Sequence, residues 1–88
     1  MTWQIRILRG AIKQLEALPA REYKREYKSV KAKILSLAEN PRPAGSQRLK
    51  GRPGYRVRQG NYRIIYDVFD QILTVEVIRI GHRRNIYK

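Results

Sequence analysis

Residues 55–80 read as YRVRQ, YRIIYDVF and ILTVEVIRI, joined only by Gly60-Asn61 and Asp70-Gln71. Connectors this short join antiparallel neighbours, because a parallel pair needs a long crossover. The stretch therefore predicts a meander of three strands at 55–59, 62–69 and 72–80. Side chains alternate across a strand. Tyr55 and Val57 fall on one face, as do Tyr62, Ile64, Tyr66 and Val68. The opposite face takes Arg56 and Arg58, then Arg63, Ile65, Asp67 and Phe69. Residues 72–80 are apolar on both sides, which leaves their parity open.

The preceding sequence supplies what covers the apolar face. WQIRIL (3–8) alternates Trp3, Ile5 and Ile7 with Gln4, Arg6 and Leu8, the pattern of a short strand. In AIKQLEAL, Ile12, Leu15 and Leu18 recur at helical spacing until Pro19, which suits a helix start better than an interior. A second, longer helix follows, with one stripe of Tyr23, Tyr27, Val30, Ile34 and Leu37. Asn40-Pro41 closes it, and the Pro- and Gly-rich run 41–54 reads as loop. The expectation is an α+β fold in a single domain, 1–88. It has an N-terminal strand, a two-helix hairpin and a three-stranded antiparallel meander, with the helices packed on one face of a four-stranded sheet.

Charge narrows the function. Lys and Arg number 20 against 7 Asp and Glu, for a net charge of +13, and the pI is near 10.8. Such a chain attracts polyanions, nucleic acid first among them. Between Arg42 and Arg63 lie Arg48, Lys50, Arg52, Arg56 and Arg58 with no acidic residue, and arginine suits bidentate phosphate contacts. The absence of cysteine rules out disulfides, thiolate catalysis and Cys-based zinc sites, and a single histidine argues against a His-based metal site. Neither metal nor cofactor is expected. The N-terminus has no long apolar stretch, so neither a signal peptide nor a membrane span is expected, and the cysteine-free chain fits a cytoplasmic location.

Arg56, Arg58 and Arg63 share the face away from the helices and repel one another, which makes sense if a polyanion lies across them. The other reading is a solvated sheet face, although such faces usually mix signs and here only Asp67 does so. The final residues, GHRRNIYK, add the lone His82, Arg83, Arg84 and Tyr87. Gly81 allows a sharp exit, and a meander brings residue 82 to the edge of the arginine face. RNA cleavage without a metal needs a group to take the 2′-OH proton, another to protonate the leaving 5′-oxygen, and fixed positive charge for the phosphorane. Histidine can transfer protons near neutral pH, whereas arginine serves to hold phosphate.

LKGRPGYRVRQGNYRIIYDV followed by VEVIRIGHRRNIY resembles the RelE/ParE superfamily of bacterial and archaeal toxins. The order of elements agrees over nearly the whole chain, including the Leu-Pro helical junction. The resemblance implies a RelE-type mRNA interferase: a ribosome-dependent endoribonuclease that cleaves mRNA in the A site with the 2′-OH as nucleophile. It also implies inhibition by a cognate, acidic or flexible RelB-like antitoxin, and operator DNA as a further partner of the complex. Residue by residue, Arg56 and Arg58 match the basic positions of the second strand, which are often lysine. Arg63 matches the arginine of the Y-R-I-I-Y motif, Arg83 the arginine after the last strand, and Tyr87 the terminal tyrosine. His82 matches a position held by histidine or lysine. The expected catalytic set is His82, Arg83, Tyr87 and Arg63, with His82 and Tyr87 transferring protons and Arg63 and Arg83 clamping phosphate. Arg48, Lys50, Arg52, Arg56, Arg58 and Arg84 are expected to bind RNA.

Two departures matter. Arginine replaces lysine in the second strand, and residues 41–66 contain no glutamate to act as base. The identity of the base stays open. The alternatives are a ParE-type gyrase poison on the same fold and a non-catalytic basic module that binds RNA or the ribosome.

Overall fold

The computed structural model describes residues 2–17 and 20–82, with backbone alone over 20–24. The order is β1 (Gln4–Ile7), α1 (Arg9–Glu16), α2 (Ala20–Ser36), β2 (Gln47–Arg48), β3 (Tyr55–Gln59), β4 (Tyr62–Phe69) and β5 (Thr74–His82). A 3-10 turn, Asp70–Ile72, joins β4 to β5. The architecture is the expected α+β, but the sheet has five strands in the order β1-β5-β4-β3-β2. β1 runs parallel to β5, and the other pairs are antiparallel. The additional strand is two residues long, with Gln47 opposite Arg56 and Arg48 opposite Tyr55. It arises inside the run expected to be loop, where too few residues exist to display a period.

The helices bury narrow stripes. Leu15 of α1 is buried as expected, while Ile12 is exposed and Ala11 takes the inward position instead. Along α2, Val30 and Ile34 are buried, followed by Leu37 in the turn after Ser36. Tyr27 packs against the core from its edge, and the side chain of Tyr23 lies outside the described residues. Opposite the helices stand Val57, Tyr62, Ile64, Tyr66, Val75, Val77 and Ile80. Each such side chain contributes roughly 1.5–3 kcal/mol when fully buried. The β1–β5 register ends with Ile7 opposite Val77. Beyond it the Ile80 amide donates to Gln14 Oε1 at 2.7 Å, so α1 satisfies a backbone group that β1 no longer reaches.

The β4–β5 ladder carries the decisive irregularity. Ile65 faces Arg79 and Tyr66 faces Val77, so Ile78 is an extra residue on β5. This is a β-bulge, and it inverts the alternation. Val75 and Val77 point toward the helices before it; Ile80 and His82 share that side after it. Arg79 thereby joins the open face. β5 also continues through Gly81 and His82, so Gly81 is a strand residue rather than the expected exit. The Leu18-Pro19 junction lies outside the described residues.

Candidate nucleic-acid interface

Cross-strand partners share a face, so the register orders the open face into rows. Arg58 stands opposite Arg63, and Arg63 opposite Gly81. The next row runs Gln47, Arg56, Ile65 and Arg79. A third contains Asp67, Glu76 and Arg6. Charges in this third row are matched: Arg6 lies 3.3 Å from Glu76, and Arg52 reaches Asp67 at 3.3 Å. The first two rows contain basic residues and no acid. The face is thus neutralised at one end and cationic at the other, which is the field that gathers a phosphate chain.

Beside the second row lies a cavity of about 640 Å³ lined by Gln47, Arg48, Leu49, Lys50, Arg52, Arg56, Ile65 and Arg79. The structure therefore brings together four of the expected RNA-binding residues: Arg48, Lys50, Arg52 and Arg56. Arg58 and Arg63 adjoin them in the next row. The Arg56 guanidinium donates to Gln47 Oε1, which ties β3 to β2 through side chains as well as backbone.

The segment that leads into this basic loop is held at the far end of the sheet. Arg42 donates from Nε to the Tyr55 hydroxyl at 3.0 Å, and from its two terminal nitrogens to the Asp70 carboxylate at 3.1 and 2.7 Å. The bonds to Asp70 and then Tyr55 raise the Arg42 pKa above its ordinary value. The same guanidinium holds the Asp70 carboxyl below its ordinary value. Beneath this network Tyr66, wholly buried, donates its hydroxyl to the Pro41 carbonyl at 2.7 Å. Burial pushes the Tyr66 phenol up, which keeps it a donor. Its ring stacks on Tyr55 with centroids 5.9 Å apart. Closer to the cavity, the Leu49 amide donates to the Gly54 carbonyl at 3.0 Å.

His82 departs from its expected place. It pairs with Tyr62 on the helix-side face, where the two rings meet edge to face at 5.6 Å. The bulge causes this: with uninterrupted alternation His82 would share the open face and Arg79 would not. His82 stands at the same end of the sheet as the Arg58–Arg63 row but on the other side. Arg83, Arg84 and Tyr87 lie outside the described residues. Arg79 is an open-face residue not expected from the sequence; the trace of the bulge in TVEVIRIGH is that Glu76 and Arg79, both on the open face, lie three residues apart, a break of phase at Val77-Ile78. Among the described residues no group of three or more His, Asp or Glu gathers that could hold a metal ion. No described helix is long and apolar enough to cross a membrane.

Residues 5–87 match the family model described as ParE toxin of type II toxin-antitoxin system, parDE. No curated protein matches the chain in sequence. Among solved structures, the toxin-antitoxin complex RelBE2 of Mycobacterium tuberculosis aligns with a TM-score of 0.79 and 24% identity, covering 97% of this chain and 95% of that one. The intact RelBE complex of E. coli aligns at 0.71 and 25% identity, covering 91% and 95%. The RelB-RelE complex of Methanococcus jannaschii aligns at 0.63 and 28% identity, covering 93% and 94%.

Proposed function

Because the chain belongs to the RelE/ParE superfamily of type II toxin–antitoxin systems, we propose that it is a RelE-type endoribonuclease that cuts mRNA in the ribosomal A site. The observation that carries this reading is the pair of acid-free rows, Arg58–Arg63 and Arg56–Arg79, on an open sheet face. They suit a chain of phosphates better than a single anion. In the reaction, the 2′-oxygen bonds to the adjacent phosphorus as its proton leaves to a base. The P–O5′ bond then breaks, and the 5′-oxygen takes a proton from an acid. A 2′,3′-cyclic phosphate and a 5′-hydroxyl result. Arg63 with Arg58 stabilises the phosphorane, whose charge exceeds that of the ground state. Arg83 and Arg84 are assigned to phosphate and Tyr87 to proton transfer. His82, at the same end of the sheet as the Arg58–Arg63 row, is the second proton-transfer group.

The partner that restrains the protein is an acidic, flexible antitoxin whose carboxylates cover the Arg58–Arg63 row. That the aligned E. coli and Methanococcus jannaschii structures are RelB complexes supports this choice. The pair acts in the cytoplasm and contacts operator DNA as a complex. A second reading, poisoning of DNA gyrase, is favoured by the family model itself, which is that of ParE.

Two parallel reactions test the reading. Purified protein is added to mRNA on programmed ribosomes, and to supercoiled DNA with gyrase. New RNA ends in the first and intact DNA in the second are expected. Gyrase-dependent breakage with intact mRNA would replace the nuclease reading with the gyrase one.

A further inference from the structure

Ile78 decides what stands across Ile65 from Arg56. With uninterrupted alternation Arg79 would lie on the core side of β5. With the bulge, Arg79 is opposite Ile65, which is opposite Arg56. Neighbouring strands lie about 4.8 Å apart, so the backbones that carry the two arginines flank Ile65 across about 10 Å. Ile65 is 8% exposed. With Leu49 it gives an apolar floor to a cavity whose remaining lining is basic or amide, with no acid among the described residues. An aliphatic floor flanked by two arginines, with no acid in the lining, suits a ligand that is apolar at its centre and anionic at its edge.

We infer that this cavity holds one ribonucleotide of the RNA strand, its phosphate on Arg56 and Arg79 and its base over Ile65 and Leu49. The inference rests on the nuclease reading and adds Arg79 as a phosphate-binding residue beside the cleavage row. A flat base joined to a phosphate matches both parts of the cavity, because guanidinium planes and apolar side chains stack on bases while the charged edges take phosphate. A carboxylate-bearing peptide would use the rim alone and leave the floor uncovered.

The test uses the full chain and a fluorescein-labelled 2′-O-methyl RNA trinucleotide, which cannot be cleaved for want of a free 2′-hydroxyl. Anisotropy titrations at several salt concentrations compare wild type with Arg79→Ala, Arg79→Lys and Arg6→Ala. Arg79→Ala is expected to weaken binding about tenfold and to lower the salt slope by about 0.7, one phosphate contact on a single strand. Arg79→Lys restores the slope but not the full affinity, since an ammonium lacks the planar fork. Arg6→Ala, at the neutralised end, leaves affinity unchanged. Equal binding by Arg79→Ala and wild type overturns the inference. So does an equal loss from Arg6→Ala, which would mean diffuse attraction. So does a hexaglutamate peptide that binds more tightly than the RNA and depends on Arg79, which would make the cavity an acidic-peptide site. No ribosome or cleavage enters this measurement, so a failure of ribosome-dependent cleavage by wild type is a separate result.

Discussion

Arg58 and Arg63 are register partners across the β3–β4 hairpin, two like charges placed directly opposite one another. Such a pair destabilises a sheet. Arg58 is exposed, so replacing it removes repulsion without opening a cavity. Arg58→Thr is expected to raise unfolding stability by about 0.2–1 kcal/mol, measured by urea denaturation, while weakening RNA binding. A loss of stability would mean that the pair supports the fold rather than a ligand.

Tyr66 joins the core to the segment that leads into the basic loop. Tyr66→Phe keeps the ring and its stacking on Tyr55 but leaves the Pro41 carbonyl without its donor. The expected cost is about 1 kcal/mol, the usual net value of one hydrogen bond, rising if water cannot reach the carbonyl. Amide hydrogen exchange at Leu49, whose N–H bonds to Gly54 within this loop, should quicken.

The Arg42–Asp70 contact gives an acid dependence whose sign is fixed. Arg42 depresses the Asp70 carboxyl in the folded state. The contact therefore contributes above the unfolded carboxyl pKa of about 3.9 and is lost as pH falls through the lower folded value. Both groups are exposed, so the effect is small and is screened by salt. Thermal melts of wild type and Asp70→Asn should differ at pH 7 and converge in acid, as pH falls through the depressed folded value of Asp70. A difference that persists in acid would assign the effect to something other than this ion pair.

Gly54 is required by both backbone and space. Its φ is +125°, and a Cβ there would lie 2.8 Å from Asp67 Oδ1 and 3.3 Å from the Tyr66 carbonyl oxygen. Gly54→Ala should cost about 1–3 kcal/mol through backbone strain, and it should displace the Asp67 carboxylate from Arg52. Unchanged thermal stability would show that the turn relaxes freely.

Much of this arrangement was legible beforehand, and the exceptions share a cause. Arg56, Arg58 and Arg63 could be placed on one face because β3 and the first half of β4 alternate cleanly, and Val30, Ile34 and Leu37 could be read from helical spacing. Arg79 and His82 could not. β5 is mostly apolar, so the inserted residue leaves only one trace, the odd spacing of Glu76 and Arg79, yet it moves every later side chain to the opposite face. Gln47 and Arg48 form a strand too short to show a period and are held by pairing with β3. In α1 the larger Ile12 drew the inward face toward itself, while packing selected Ala11. The roles expected of Arg83 and Tyr87 rest on their resemblance to the family motif, and that of Arg84 on its charge.

The most direct test of the account is primer extension on a defined mRNA carried by programmed ribosomes. It compares wild type, Arg58→Ala/Arg63→Ala, His82→Ala and Arg6→Ala, each confirmed folded by circular dichroism. New 5′ ends within the A-site codon are expected for wild type and Arg6→Ala. Their loss is expected in the double variant, and a reduction of about 100-fold or more in His82→Ala. Undiminished ends from the double variant, or none from folded wild type, would contradict the claim that the arginine rows hold the strand being cut.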